Sequence, residues 1–321
     1  MRVVFMGTPA FALPTLERVL DAGHEVVLVV TQPDKQAGRG RKVQFPPVKE
    51  MALQRGLEVC QPKKLRGDAD FLAKFRAAAP EVAVVVAYGQ ILPPDVLAVP
   101  RYGCLNVHAS LLPRYRGAAP INWAIANGDT ETGVTIMRMD AGMDTGNIVT
   151  QSRVPILEDD DARSVADILS VEGAAGLVGV LGQIERQGEL TGIQQDDSLV
   201  SYAPLLKKED GLLDWTRTTE QIICQIRGMV PWPSAHIPTK RGLLKILRAE
   251  PLWPSAHEEI AISDKAVPGM VVLAMKTHGF VVRTGDGMLL VQEAQLEGKR
   301  PMTGVDFING NLVRVGELLR V

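Results

Sequence analysis

The 321-residue chain is poor in the features that mark secreted, zinc-binding and membrane proteins. Its three cysteines are widely spaced and form no CxxC pair, which argues against a disulfide framework and against a zinc site. Its five histidines are scattered, so we expect no metal ion. The apolar runs at 26–30 and 82–87 are far too short to span a membrane. The sequence therefore predicts a reduced, cytoplasmic protein without a membrane segment, and we expect a monomer.

A strong charge of one sign is also absent. The formal net charge is −2, which argues against a generally basic nucleic-acid binder but leaves room for a local basic patch. The GxGxxG motif is missing as well, because Gly7 is followed by Pro9 rather than by a second glycine. We therefore interpret the turn after the first strand as a plain strand-to-helix turn and expect no dinucleotide cofactor.

The length favours two domains, and the pattern of the chain changes near residue 207. Residues 1–190 alternate apolar strands with helices, which is typical of a Rossmann-like, mostly parallel sheet. Strands are predicted at 2–6, 25–31, 58–60, 82–87, 104–108, 132–139 and 148–154. Helices are predicted at 10–22, 47–56, 68–79, 118–127 and 162–187, the last of them capped by Asp161.

Residues 191–206 form a polar stretch that we interpret as a linker. A helix at 221–227 follows it, and short strands are predicted at 243–249, 269–274, 279–283 and 288–294. A Gly-Asp-Gly turn at 285–287 between two alternating runs indicates a hairpin. Several short strands separated by turns predict a small β-barrel domain over 207–321.

One segment of the first domain has no periodicity. The loop 34–47 is rich in proline and glycine and carries four basic side chains: Lys35, Arg39, Arg41 and Lys42. Long loops in compact domains are usually functional or disordered. This loop is therefore either a basic flap that grips a phosphate backbone or a solvated insertion.

Three polar side chains stand out in the first domain: Asn106, His108 and Asp144. Residues two apart on a strand point to the same face, so Asn106 and His108 can meet one substrate group. Asp144 follows a later strand, and we expect all three side chains at one edge of the sheet. An amide, an imidazole and a carboxylate suit the transfer of a small acyl group to an amine.

No covalent nucleophile is evident beside these residues. Ser110 lies close to His108 but no glycine-flanked elbow surrounds it, so direct attack by the acceptor amine is the simpler mechanism. A structural interpretation exists as well, with a buried histidine that satisfies its hydrogen bonds and an aspartate that forms a turn. Taken singly, the residues leave both interpretations open.

Two longer motifs narrow the choice: NVHASLLPRYRGAAP at 106–120 and DAGMDTG at 140–146. Both resemble signatures of the 10-formyltetrahydrofolate-dependent formyltransferases. The resemblance implies a Rossmann-like sheet, catalytic roles for Asn106, His108 and Asp144, and 10-formyltetrahydrofolate as co-substrate without a metal. It implies folate contacts for the following residues: Ser110, Leu111, Leu112, Pro113, Ala87, Tyr88, Gly89, Gln90, Ile91, Leu92, Met139 and Asp140.

Further motifs occur along the whole chain, among them 31–34, 37–40, 208–215, 226–233 and 298–307. They resemble the members of this family whose acceptor is the α-amino group of methionyl-initiator tRNA, which is formylated for translation initiation. The resemblance implies that the loop 34–47 contacts the acceptor stem through the basic residues Lys35, Arg39, Arg41 and Lys42. It also implies that the C-terminal domain is an OB-like barrel that contacts tRNA.

Two alternatives stay open at this point. The same chemistry could act on a small amine, such as a nucleotide-linked amino sugar, although the basic loop and the barrel argue against it. The chain could also be a non-catalytic RNA-binding module on a Rossmann-like scaffold. The intact set of amide, imidazole and carboxylate argues against that.

Overall fold

The structure, a computed structural model, describes residues 1–37, 42–252 and 266–319. Its contacts divide the chain into two units. The first contains Met1–Pro120, Glu131–Pro155 and Val165–Pro204. The second contains Ile121–Thr130, Ile156–Ser164 and the described residues from Leu205 onward. The division falls inside the stretch interpreted as a linker, and 191–204 belongs to the first unit.

Short apolar and alternating stretches of the first unit form its strands. They are β1 (Arg2–Gly7), β2 (Glu25–Val30), β3 (Lys35–Ala37), β4 (Lys42–Gln44), β5 (Val59–Cys60), β6 (Val82–Val86), β7 (Cys104–His108), β8 (Arg116–Gly117), β9 (Glu131–Arg138), β10 (Asn147–Pro155) and β11 (Tyr202–Ala203).

Seven of these strands form one sheet in the order β10-β9-β7-β6-β1-β2-β5. The strands from β7 to β5 are parallel to one another. At the other edge, β9 is antiparallel to β7, and β10 is antiparallel to β9. All five residues of β6 are buried, as expected for a strand at the centre of a sheet that is covered on both faces. The predicted mostly parallel, Rossmann-like sheet is confirmed.

Helices alternate with these strands. They are α1 (Leu13–Asp21), α2 (Pro47–Gln54), α3 (Ala69–Ala77), α4 (Pro94–Leu97), α5 (Pro120–Ala126) and α6 (Ala162–Gln187). The turn between β1 and the helical segment needs a glycine, because a Cβ on Gly7 would lie 3.0 Å from both the Val86 carbonyl oxygen and the Ala12 side chain. Close packing therefore explains this glycine, in agreement with the plain strand-to-helix turn predicted above.

The long helix α6 has the predicted bounds, and Asp161 caps it by accepting hydrogen bonds from the backbone amides of Arg163 (2.7 Å) and Ser164 (3.1 Å). In length and composition it is the one helix of the described residues that could cross a membrane. Its buried residues, however, include Leu169, Leu177 and Leu181, which recur at helical spacing. At Gly173 the helix approaches β7 so closely that a Cβ would lie 2.5 Å from the Val107 side chain. We therefore interpret α6 as a core helix of the sheet.

The loop 34–47 contains regular structure that the sequence analysis missed. β3 and β4 pair antiparallel, with Lys35 opposite Gln44 and Ala37 opposite Lys42. The loop predicted over 34–47 thus contains a short hairpin. No periodic pattern indicated it, because strands of three residues are too short to produce a recognisable period. We call residues 35–44 the basic hairpin. Its tip, 38–41, lies outside the described residues.

The second unit is built on an antiparallel sheet. Its elements are α7 (Thr219–Gly228), β12 (His236–Thr239), β13 (Gly242–Pro251), β14 (Val271–Met275), β15 (Gly279–Arg283), β16 (Met288–Leu296), β17 (Met302–Thr303) and α8 (Gly304–Asn309). The strand order is β12-β13-β16-β15-β14, and β17 pairs with β16. The hairpin predicted around 285–287 joins β15 to β16.

The core of this unit gathers aromatic and branched side chains from the sheet and both helices, including Trp215, Ile222, Phe280 and Phe307. Each helix begins with a capping box, Thr218 with Gln221 in α7 and Thr303 with Asp306 in α8. A Rossmann-like sheet followed by a separate, smaller OB-like β domain is the fold class predicted from the sequence, and it is confirmed.

Candidate active site

The strand β7 carries Asn106 and His108 from the middle of the sheet towards its carboxyl edge. Leu105 and Val107 alternate with them and are buried in the core. Asn106 lies opposite Met137 of β9, and the His108 residue is 6% exposed. The Asn106 carboxamide makes no hydrogen bond to the described part of the chain, so it is available to a substrate.

The loop that follows β7, residues 109–115, is fixed by buried hydrogen bonds. The Ser110 hydroxyl donates to the Arg114 carbonyl (2.7 Å), and the Thr135 hydroxyl donates to the Ser110 carbonyl (2.6 Å). The Leu112 amide donates in turn to the Thr135 hydroxyl oxygen (3.1 Å). The Ser110 residue is fully buried, so its hydroxyl holds the loop in shape instead of facing solvent.

The His108 ring is oriented from both sides. Its Nε2 atom lies 3.0 Å from the Tyr115 carbonyl oxygen, and because a carbonyl only accepts, Nε2 carries the hydrogen. The Nδ1 atom faces the Asp144 Oδ1 atom at 3.7 Å, which is longer than a hydrogen bond. The other carboxylate oxygen of Asp144 accepts from the Gly117 amide (2.8 Å). The imidazole and the carboxylate are thus held face to face with a narrow gap between them.

The loop that carries Asp144 leaves the sheet at an unexpected end. β9 runs antiparallel to β7, with Arg138 opposite Leu105, so the loop starts beside Cys104 at the amino end of β7. The prediction assumed parallel strands around the site, so it placed the start of this loop at the wrong end of the sheet. The expected approach of the His108 and Asp144 side chains is nevertheless observed. The loop turns back along β7, and Asp144 still reaches His108.

The loop 140–146 is shaped by its own side chains. Asp140 Oδ1 accepts hydrogen bonds from the Gly142 amide (2.9 Å) and from the Thr145 hydroxyl (2.6 Å), as in an Asx turn. Asp144 itself has a φ of 55°, a conformation that few non-glycine residues adopt. A Cβ on Gly146 would overlap the Arg138 carbonyl oxygen. The glycines of the DAGMDTG motif therefore permit the turn that presents Asp144.

Gln195, in the stretch interpreted as a linker, contacts the loop that carries Asp144 and was not among the predicted site residues. Its Nε2 atom donates to the carbonyls of Asp144 (2.8 Å) and Gly146 (2.7 Å). Its Oε1 atom accepts from Arg116 Nε (3.0 Å) and Nη2 (2.8 Å). Both side chains are buried. A single glutamine in a polar stretch gives no signal, so this contact could not be read from the sequence.

The loop 87–92 follows β6 and is tied to the ends of neighbouring strands. The Tyr88 carbonyl accepts from the hydroxyl of Thr8, after β1 (3.1 Å), and from the side-chain Nε2 atom of Gln32, after β2 (3.2 Å). The Tyr88 side chain is buried in the core, where burial raises the pKa of its hydroxyl. Tyr88 can therefore reach a folate only through its backbone.

The remaining side chains of this loop divide into two groups. Leu92 is buried, and Gln90 bonds to the Leu65 amide (3.1 Å) and the Pro62 carbonyl (3.3 Å). Ile91, in contrast, is 80% exposed. Of the predicted folate contacts in this loop, the Ile91 side chain is thus the one most clearly open to a ligand.

A polar cavity of about 470 Å³ adjoins the loop 140–146. It is lined by Arg116, Asp140, Thr145, Gln194, Gln195, Asp197, Val200 and Tyr202. Its volume lies within the range of about 300–1,000 Å³ that is typical of small-molecule sites. Asp140 is the one residue of this lining that is also among the predicted folate contacts.

The chemistry available here does not include a thiol nucleophile. Cys104 begins β7, but burial raises its pKa to about 12, so the thiol stays protonated and weakly nucleophilic. Within residues 1–37, 42–252 and 266–319, no three potential metal ligands come together. The groups that remain are an amide, an imidazole and a carboxylate.

The basic hairpin presents part of its predicted charge. Lys35 is exposed on β3, and Lys42 belongs to β4. Arg39 and Arg41 lie outside the described residues. The base of the hairpin is anchored by Lys49, whose Nζ atom donates to Asp34 Oδ2 (2.7 Å) and Gln61 Oε1 (2.8 Å).

Two family matches cover the chain. Residues 1–181 match the formyl transferase family, and residues 205–312 match the formyl transferase C-terminal domain. The observed fold agrees with this match. The chain therefore belongs to the formyltransferase family.

Within that family, relatives that match along nearly the whole chain include methionyl-tRNA formyltransferases. The protein of that name from Synechococcus sp. is 50% identical over 318 residues, with 98% of this chain and 97% of the relative covered. Its counterpart from Citrifermentans bemidjiense is 47% identical over 319 residues, with 99% and 96% covered. That from Caldanaerobacter subterraneus is 44% identical, with both chains fully covered.

Solved structures support the fold at much lower identity. WlaRD, a sugar 3N-formyltransferase, superposes with a TM-score of 0.64 at 20% identity and covers 94% of this chain and 99% of its own. HypX from Aquifex aeolicus in complex with tetrahydrofolic acid gives a TM-score of 0.63 at 16% identity. This chain spans about half of HypX, 48% of its length.

Proposed function

We propose that this protein transfers the formyl group of 10-formyltetrahydrofolate to the α-amino group of methionyl-initiator tRNA. The observation that carries the proposal is the Asn106, His108 and Asp144 constellation in a chain with near full-length methionyl-tRNA formyltransferase relatives. The amine attacks the formyl carbon directly, and the bond from that carbon to the folate nitrogen breaks. The amine loses one proton, and the folate nitrogen gains one.

Asn106 stabilises the formyl oxygen as negative charge develops on it. Its carboxamide has no partner in the described residues, and a preorganised donor at this point contributes strongly to such reactions. In the present geometry the Nε2 hydrogen of His108 is already given to Tyr115. This supports Asn106 as the main oxygen donor, with His108 joining it only if its ring changes partner.

His108 and Asp144 handle the proton of the attacking amine. The 3.7 Å gap between Nδ1 and Oδ1 is too long for a direct hydrogen bond. It suits an amine hydrogen or a water molecule that bridges the two groups. General base catalysis of this kind needs the base within reach of the proton that it removes.

The reduced folate is held by the loops 87–92, 110–113 and 139–144. The exposed Ile91 side chain offers apolar surface, and the second carboxylate oxygen of Asp140 offers an acceptor for ring amino groups. Leu112 is buried and Ser110 is occupied within its own loop. Both therefore act by shaping the pocket.

The basic hairpin binds the acceptor stem of the tRNA. The exposed Lys35 supports this role, and Arg39, Arg41 and Lys42 are the further phosphate contacts that we propose. The OB-like unit contributes a second tRNA surface, in keeping with the nucleic-acid roles of that fold.

The test is a transfer assay with labelled 10-formyltetrahydrofolate and a choice of acceptors. Charged methionyl-initiator tRNA should be formylated far faster than a nucleotide-linked amino sugar at equal concentration. A preference for the small amine would refute the proposal and would favour the alternative acceptor. In the same assay Arg39→Ala should weaken the use of tRNA far more than the binding of folate, whereas an equal loss in both would refute the hairpin's role.

A further inference from the structure

The stretch 194–203 contacts both loops of the candidate active site. Towards the loop after β7, its strand β11 pairs with β8, with Tyr202 opposite Arg116. Ser201 also accepts two hydrogen bonds from backbone amides. Its hydroxyl oxygen accepts from the Tyr115 amide (2.9 Å), and its carbonyl oxygen accepts from the Arg116 amide (2.9 Å). The stretch thus fixes the segment whose carbonyl orients His108.

The contact with the loop 140–146 is made by one side chain. Gln195 donates to the carbonyls of Asp144 and Gly146, at 2.8 and 2.7 Å. These carbonyls lie on either side of the turn in which Asp144 adopts a φ of 55°. A conformation of this kind persists only when its surroundings hold it. The glutamine supplies that restraint from within the protein.

Arg116 connects the two halves of this arrangement. Its guanidinium donates twice to Gln195 Oε1 and once to Asp197 (2.8 Å), and it is 5% exposed. The next residue, Gly117, donates its amide to the Asp144 carboxylate. Gln195 therefore holds the backbone carbonyl of Asp144, and the Gly117 amide holds its carboxylate. Arg116, which bonds to Gln195 and precedes Gly117, connects the two contacts.

We infer that Gln195 is a positioning residue for formyl transfer: it sets the place of the Asp144 carboxylate relative to His108, and Arg116 sets the place of the glutamine. The inference rests on the proposed function. Gln195 touches no reacting atom, so it acts only through Asp144. A misplacement of about 1 Å in a catalytic group can cost about 100-fold in rate.

The second unit contains a matched control for this contact. Gln225 is also buried, and its Nε2 atom donates to two carbonyls, those of Asp210 (2.8 Å) and Leu212 (3.0 Å). Its Oε1 atom accepts from Arg217 Nη1 (3.3 Å). The two glutamines make the same kind of bridge, but only Gln195 bridges a loop with a candidate catalytic residue.

The experiment compares Gln195→Met with Gln225→Met in the full-length protein. Methionine keeps the length of the side chain and removes all its hydrogen bonds. We expect similar decreases in Tm for the two variants. We expect kcat to fall by about 100-fold in Gln195→Met alone, with the KM values for folate and tRNA changed by less than about threefold, because placement and not binding is lost. Equal kcat values in the two variants would overturn the inference.

A double-mutant cycle tests whether Gln195 acts through Asp144. In an Asp144→Asn background, Gln195→Met should lower kcat by little more, since the group that it positions is already lost. Full additivity of the two effects would mean an independent structural role and would also overturn the inference. The variant Gln195→Glu keeps the acceptor for Arg116 and loses both donors. It should keep more of the Tm than Gln195→Met and show the same loss of kcat.

Hydrogen exchange can be measured without catalytic activity, so it distinguishes a failure of this inference from a failure of the proposed function. The Gly117 amide donates to the Asp144 carboxylate, so we expect its hydrogen exchange to report where that carboxylate lies. Exchange should be faster in Gln195→Met and unchanged in Gln225→Met. If the wild type formylates no acceptor, the proposed function fails. The exchange rate then decides alone whether Gln195 places Asp144, and unchanged exchange in Gln195→Met refutes it.

Discussion

The two loops of the candidate active site and the basic hairpin are held in different ways. The site loops are joined by buried side-chain bonds, such as those of Thr135 and Gln195. The hairpin is anchored at its base, where Asp34 pairs with Lys49. Beyond that anchor it exposes Lys35, and Val43 is 59% exposed.

The difference agrees with the roles that we propose for the two regions. Formyl transfer needs groups fixed within fractions of an ångström. Contact with a phosphate backbone depends mainly on charge and tolerates variation in geometry. Substitutions in the site should therefore change kcat, whereas those in the hairpin should change tRNA affinity and its salt dependence.

The largest effect is expected for Asp144→Asn. The amide keeps the shape of the side chain but cannot take the proton of the attacking amine, so kcat should fall by about 10²–10⁴-fold. Binding of the tRNA, measured by filter retention, should change little. The control is Asp286→Asn, which alters a carboxylate of the second unit that accepts from the Thr219 amide. Near wild-type turnover in Asp144→Asn would show that the role is wrongly assigned.

A somewhat smaller effect is expected for Asn106→Ala. Removal of one donor to a developing oxyanion typically costs about 10²–10³-fold in kcat. Because the carboxamide has no partner in the described residues, its loss should leave the Tm nearly unchanged. The result to look for is a fall in kcat at constant Tm. A large fall in Tm would mean that Asn106 has a structural role. It would then contradict the expectation that substitutions in the site change mainly kcat.

The features that could be predicted from the sequence are those that depend on consecutive residues. The strand predicted at 82–87 agrees with β6 to within one residue, and the helix predicted at 162–187 has the bounds of α6. The pair Asn106 and His108 followed from the period of a strand. Such signals are carried by consecutive residues, so they need no knowledge of the tertiary structure.

The parts that could not be predicted depend on contacts between distant segments. The antiparallel direction of β9 changes where the acidic loop begins, and strand direction has no local signature. Gln195 is 51 positions from Asp144, and a glutamine in a polar stretch looks the same whether it is exposed or buried. The short strand β3 is defined by its pairing with β4 and not by its own residues.

On the hairpin side, Lys35→Ala should weaken tRNA binding only a few-fold at moderate salt. Because one phosphate contact is lost, the slope of log affinity against log salt should decrease in magnitude by about one. The kcat at saturating tRNA should stay unchanged. Lys64→Ala, which removes the same charge from another exposed position, is the control. Equal losses in both variants would mean that general charge, and not the hairpin, attracts the tRNA.

The smallest effect is expected for Asp34→Asn at the base of the hairpin. Two hydrogen bonds hold the pKa of the Asp34 carboxyl below its usual range; the one from Lys49 has the larger effect and the one from Gln61 the smaller. A carboxyl whose pKa is lower in the folded state contributes stability above its unfolded pKa, and this contribution is lost as the pH falls through the folded pKa. The wild type should therefore have a slightly higher Tm than the variant near neutral pH, and the difference should shrink below about pH 4. Lys49→Met should remove the same contribution, and the double variant should lose no more. A difference in Tm that persists unchanged well below pH 4 would show that the ion pair does not anchor the hairpin.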